Sequence, residues 1–205
     1  MSDTHETPSQ ADAGAVRFVL ASGSPRRREL LAQIGVVPDA VDPPDADETP
    51  KRGELPTEYA RRVTLEKLTI AAARHPGAVV LAADTVVAAG RRILPKAADE
   101  AEIAACLRLL SGRRHKVTTA VAVAAPDGRV RERLVTSIVA LPALTEGEIA
   151  DYAATGEGIG KAGGYAIQGR GGALCRWMSG SHSAIVGLPL FETRTLLRAS
   201  GLAIA

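Results

Sequence analysis

The chain has 205 residues, 46% of them hydrophobic, 23% charged and 3% aromatic, with a formal net charge of +2. This is the balance of a globular protein long enough to bury a substantial core, in one domain or two intimate lobes. It does not point to a general nucleic-acid binder, because the excess charge is small and few rings are on hand for base stacking. No apolar run reaches the roughly 18 residues of a membrane span. The opening MSDTHETPSQADAGA lacks the basic and apolar regions of a signal peptide, so a cytoplasmic location away from membranes is expected. Residues 1–15 are polar, acidic and aperiodic, and read as a flexible extension ahead of a single domain over 16–205. Cys106 and Cys175 belong to no CxxC or Cys/His cluster and read as buried small hydrophobes.

In chain order, VRFVLA at 16–21 predicts a short strand that leads into a helix over 25–34. Ser24 suits the N-cap and Pro25 the first helical position, while Leu30, Leu31 and Ile34 supply an apolar face. The acidic, proline-containing segment from Val37 to Pro56 predicts an exposed loop. Thr57 is expected to cap a helix running to about Arg74. AVVLAADTVVAA at 78–89 is apolar on both faces, as in a covered central strand, with Asp84 and Thr85 expected to interrupt it. Asp99 and Glu102 open a further helix that ends at Ser111-Gly112. VTTAVAVAA and RVRERLVTSIVAL flank Pro126-Asp127-Gly128 and predict a long hairpin. Thr145 and Glu148 form a capping box, and GLPLFETRTLLRASG predicts a final amphipathic helix. Strands and helices do not alternate regularly, so the expected fold is α/β with a mixed sheet flanked by helices, not a doubly wound one.

Arg26, Arg27 and Arg28 crowd the first turn of a helix, where free N–H groups and the positive end of the helix dipole disfavour cations. Either they point into water and pair with acids such as Glu29, or an anion offsets them. A ligand with several phosphates, docked at the helix start and gripped by guanidinium forks, would do so. Asp84 within an apolar strand is costly unless paired, hydrogen-bonded or metal-bound. It is either a turn-forming aspartate or a group that holds a divalent cation or takes a proton from water. Glu48, Lys67 and Lys96 read by themselves as surface residues. In 156–172, eight of 17 residues are glycine. That segment is either a set of tight turns at a sheet edge or a close approach to a ligand, with Gln168 able to read a base edge. It contains no GxxxxGK[ST] motif. Together these signals point to a nucleotide phosphate ligand without saying which bond, if any, is cleaved.

The blocks LASGSPRRRELL, DET, EKL, AADTVV, LSGRRHKVTTAVAV, GKAGGYAIQGRGG and VGLPLFETRTLL follow one another over residues 17–201. In this order they resemble the Maf family of nucleoside triphosphate pyrophosphatases. The resemblance implies two lobes with a nucleotide cleft between them, a homodimer, and hydrolysis of a nucleoside triphosphate between its α and β phosphates. It implies that Asp84 accepts a proton from water and that Glu48 assists with metal and water. Arg26, Arg27, Lys67 and Lys96 would hold the polyphosphate, with Ser24 also in contact with it. Magnesium or manganese would bridge phosphate oxygens and the Glu48 and Asp84 carboxylates. Arg26, Thr85 and Gln168 match the pattern of the dTTP and UTP branch, while the branch resembling 7-methyl-GTP pyrophosphatases has a bulkier SPWRR opening. Where the family turn is glycine–lysine–proline, this chain has Pro95-Lys96-Ala97. The competing functions are hydrolysis of a modified purine nucleotide and nucleotide binding in the control of septum formation.

Overall fold

The structure is a computed structural model that describes residues 16–204. The expected extension over 1–15 lies outside the described residues. Strands β1 (Phe18–Leu20), β2 (Ala40–Val41), β3 (Val79–Ala89), β4 (Arg92–Leu94), β5 (Arg114–Ala124), β6 (Val130–Ala140) and β7 (Trp177–Ser179) form one sheet. Its order is β2-β1-β3-β5-β6-β7, with β4 also paired to β3. The β1 pairings to β2 and β3 are parallel and the rest are antiparallel, which makes the sheet mixed as the irregular element order suggests. The helices are α1 (Pro25–Gln33), α2 (Pro56–Arg74), α3 (Glu100–Leu110), α4 (Glu146–Ala153), α5 (His182–Val186) and α6 (Leu190–Ala199).

The period of two along β1 and β3 decides which helix each residue meets. Phe18, Leu20, Val79 and Leu81 pack with Leu30 and Leu31 of α1 and Leu196 and Leu197 of α6. Val19, Val80 and Ala82 turn the other way, onto Leu68 and Ala71 of α2. A separate cluster at the far end joins Val87, Val117 and Val139 to Ile103 and Leu107 of α3 and Ile149 of α4. The molecule thus has an apolar core at each end of the long strands, and these are its two lobes.

Several local expectations change. β3 runs unbroken through Asp84 and Thr85, because β5 pairs with it continuously from Val80 to Ala88. Helix α2 starts at Pro56, with Leu55 at the N-cap, and the Glu58 carboxylate accepts the Leu55 N–H at 3.2 Å; Thr57 is inside the helix. Ser24 occupies the N-cap of α1, yet its side chain makes no capping bond. Cys106 is buried, whereas Cys175 is only partly so. The Thr145–Glu148 capping box forms with bonds of 2.7 and 3.2 Å.

The topology also leaves a gap. β1 and β4 both pair with the edge of β3 opposite β5, β1 along Val79–Leu81 and β4 along Val87–Ala89. Residues 82–86 have no strand on that side. The chain leaves β1 there and turns into α1, so the gap opens at the start of a helix.

Candidate active site

A cleft at this gap is lined by Ser24, Arg26 and Arg27 from the start of α1, Glu48 from the acidic loop and Lys67 from α2. Asp84 and Thr85 of β3, Lys96 after β4, and Lys161, Tyr165, Ile167 and Gln168 of the glycine-rich segment complete it. Nine of the ten residues singled out from the sequence line the same cavity, and Arg28 does not. Its charged lining consists of five cations (Arg26, Arg27, Lys67, Lys96, Lys161) and two carboxylates (Glu48, Asp84), an excess of three positive charges that suits a polyanion.

Strand parity places Asp84 on the α2 side, in line with Val80 and Ala82, and the four-residue spacing Val63, Lys67, Ala71 puts Lys67 opposite it. Lys67 Nζ lies 2.8 Å from Asp84 Oδ1 and 2.6 Å from Glu48 Oε1. Lys96 Nζ contacts the other Glu48 oxygen and is 3.9 Å from Asp84 Oδ1. Asp84 is 1% exposed, and its Oδ2 has no hydrogen-bond partner among the described residues. A buried carboxylate oxygen without a partner, in a residue that lines a cavity, calls for a ligand's proton or a cation. Burial would raise the Glu48 carboxyl, but the hydrogen bonds from Lys67 and Lys96 outweigh it and hold Glu48 below the usual carboxylate range.

The loop carrying Glu48 is tied down from α2. Tyr59 donates its hydroxyl to the Glu48 carbonyl at 2.9 Å, while Arg62 reaches the carbonyls of Asp47 and Thr49 at 3.2 and 3.1 Å. Arg62 is itself fixed by Glu54 at 2.6 Å. The sequence shows only a proline-rich acidic loop; its anchors lie in the following helix, at a distance no local pattern reveals.

The three arginines of α1 go three ways. Arg28 is exposed and does not line the cleft. Arg27 is buried and donates to the Gly187 carbonyl at 2.9 Å and to Ser22 Oγ at 2.8 Å. A hydroxyl chain continues beyond it, since Thr85 Oγ1 is 2.8 Å from Thr119 Oγ1, which donates to the Ala184 carbonyl at 2.7 Å. Arg27 therefore acts first as a brace between α1 and α5. Arg26 makes no ion pair or side-chain hydrogen bond among the described residues, and burial lowers its pKa while nearby Glu29 raises it. The three guanidiniums thus divide into one open fork, one engaged brace and one outward residue.

Lys161 also lines the cleft, although no sequence pattern singles it out. It is the one lysine of the glycine-rich segment, and its Nζ donates to the Glu157 carbonyl without an ion pair to any described carboxylate. Burial lowers its pKa and repulsion from Arg26 adds to that effect. A bound anion would relieve the repulsion between these two cations. The same segment sets Lys96: Gly160 N–H donates to the Ala97 carbonyl at 2.7 Å and Gly163 N–H to the Pro95 carbonyl at 3.0 Å, with Lys96 bridged to Ala162. The altered Pro95-Lys96-Ala97 turn is thus held by its neighbour.

Among the described residues no group of three or more His, Cys, Asp or Glu side chains could cage a metal. Glu48 and Asp84 supply two carboxylates to one cleft, which fits an ion that completes its shell with phosphate oxygens and water, as magnesium commonly does. No helix among the described residues is long and apolar enough to cross a membrane.

The family model described as Maf-like protein matches residues 17–200. A protein of Rhodospirillum rubrum named dTTP/UTP pyrophosphatase is 57% identical over 199 residues, covering 97% of this chain and 95% of the relative. One of Caulobacter vibrioides with the same name is 56% identical over 189 residues, covering 92% of this chain and 98% of the relative. Among solved structures, the Ham1 protein of Staphylococcus aureus aligns with TM-score 0.40 and 19% identity over 61% of this chain and 71% of its own. With the motif blocks gathered around one cleft and a family match spanning nearly every described residue, the chain belongs to the Maf family.

Proposed function

We propose that this protein hydrolyses dTTP and UTP to the nucleoside monophosphate and pyrophosphate. The observation that carries the reading is Asp84: a buried carboxylate in the wall of a cation-rich cleft, with one oxygen held by Lys67 and the other without a hydrogen-bond partner among the described residues. Relatives 55–58% identical, named dTTP/UTP pyrophosphatase, support the choice of substrate.

The step follows from charge. Water attacks the α phosphorus, its proton passes to Asp84 Oδ2, the bond from the α phosphorus to the bridging oxygen breaks, and pyrophosphate departs with that oxygen. Lys67 keeps Asp84 and Glu48 in place. Arg26, Lys96 and Lys161 neutralise the triphosphate, which otherwise repels the two carboxylates. Lys96 is held by Glu48, and a phosphate oxygen would be its alternative partner. A divalent cation held by Glu48 and Asp84 would supply further neutralisation of the departing pyrophosphate. Gln168 and Thr85 would meet the nucleoside, with the Gln168 amide offering a donor and an acceptor to the base edge.

The test is pyrophosphate release from dTTP, UTP, CTP, ATP, GTP and 7-methyl-GTP with magnesium or manganese. Preference for dTTP and UTP is the expected result. Preference for 7-methyl-GTP would retain the chemistry and overturn the base assignment; binding without release from any of them would overturn the enzymatic reading.

A further inference from the structure

Just outside the cleft, the carboxylate of Glu157 accepts three hydrogen bonds. Its Oε1 takes the Arg170 N–H at 2.9 Å, and its Oε2 takes the Gly171 N–H at 2.9 Å and the Tyr152 hydroxyl at 2.8 Å. The Tyr152 oxygen in turn accepts the Ala166 N–H at 3.0 Å. Two side chains therefore pin both ends of the segment 166–171. Between the pinned ends lie Ile167 and Gln168, which line the cleft. Gln168 is exposed, and its side chain makes no hydrogen bond among the described residues, so its place is set by its backbone alone.

The approach of Glu157 is close enough to dictate the sequence it grips. A Cβ on Gly169 would lie 2.1 Å from Glu157 Oε1, and one on Gly171 3.0 Å from the Tyr152 hydroxyl and 2.6 Å from the Ala166 carbonyl. Of the glycines that suggest a ligand loop, Gly169 thus makes room for the Glu157 carboxylate and Gly171 chiefly for the backbone of Ala166. Backbone hydrogen bonds lower the Glu157 pKa against a burial effect that would raise it, as expected of a carboxylate fitted to N–H donors.

We propose that Glu157, working with Tyr152, is a positioning residue that holds the Ile167–Gln168 wall of the cleft and so enforces discrimination between bases. This deepens, and rests on, the reading of the cleft as a pyrimidine nucleotide site. A wall held at both ends rejects a base whose edge does not match Gln168; a wall free to retreat accommodates it. Glu157→Gln replaces one acceptor oxygen with an amide that faces a backbone N–H. Tyr152→Phe keeps the ring and removes the link to Ala166.

The experiment measures UTP and CTP binding by calorimetry in EDTA for wild type, E157Q, Y152F, Q168A and the double variant E157Q/Q168A, with thermal unfolding of each. Loss of one such hydrogen bond corresponds to about tenfold in affinity. E157Q and Y152F are therefore expected to reduce the UTP preference about tenfold, and E157Q to add nothing to Q168A because both act through the same contact. With metal present, KM for UTP rises while kcat stays within about twofold. Variants that unfold earlier yet keep the wild-type preference, or a double variant whose losses multiply, would overturn the clamp and leave the pyrophosphatase reading intact. A wild type that binds UTP and CTP alike would overturn the base assignment and the clamp with it.

Discussion

Asp84 and Lys67 depend on each other in different ways. Replacing Asp84 with Asn keeps the shape and leaves Lys67 its partner Glu48, so the fold should survive. Turnover should fall by roughly 10² to 10⁴ with little change in nucleotide affinity, the range expected for loss of a positioned proton acceptor; wild-type turnover in D84N would remove Asp84 from the chemistry. Replacing Lys67 with Met strands a carboxylate that is 1% exposed, at a cost of about 3–5 kcal/mol. The arginines separate as cleanly. Arg26→Ala should raise KM and slow turnover with the melting temperature almost unchanged, whereas Arg27→Ala removes the bonds to Gly187 and Ser22 and should lower it by several degrees. Equal effects on melting from both variants would contradict the division of labour. The sequence exposes the cation cluster because charge at a helix start is anomalous, but the three directions follow from what packs against α1.

At the scale of elements, the glycine-rich segment and the Lys96 turn form one unit. Gly163 has φ +72°, and a Cβ there would come within 2.8 Å of Val87 Cγ1. Gly163→Ala combines backbone strain with overpacking, about 2–4 kcal/mol together. It should lower the melting temperature by roughly 5–10 °C and, by shifting the turn that carries Lys96, also raise KM. An unchanged melting curve would mean that Val87 gives way. The periodicities that mark α2, the long hairpin and the capping box at Thr145 are local and therefore legible. The short strands β2, β4 and β7 and helix α5 were not read from the sequence, since two to five residues carry no period. Their pairing is decided by the long strands they join.

For the molecule as a whole, acid stability should register one buried side chain beyond the cleft. His115, 2% exposed, joins β5 to the glycine-rich segment, its Nε2 2.7 Å from the Tyr165 hydroxyl. Burial lowers its pKa to about 4 from 6.5, so between those values the unfolded chain binds a proton that the folded chain refuses. The stability contribution is therefore complete above pH 6.5 and is lost as pH falls toward 4, by up to about 3 kcal/mol. Denaturant unfolding at pH 7 and pH 4.5 should show a smaller difference between the two in His115→Phe than in wild type. An identical difference would place the acid sensitivity in other groups, of which Glu48, held low by its two lysines, is lost only at lower pH.

By itself the sequence determined the class of fold, the long elements and the residue types that line the cleft, because periodicity, capping and misplaced charge are properties of neighbouring residues. Tertiary structure decided the rest. The strand gap between β1 and β4 opens Asp84 and Thr85 to a cavity, Lys67 meets Asp84 across two elements, Arg62 draws Glu48 inward, and Lys161 faces Arg26 from more than a hundred residues away. Such contacts join positions distant along the chain, and their energies come from burial and geometry that no single stretch of sequence contains.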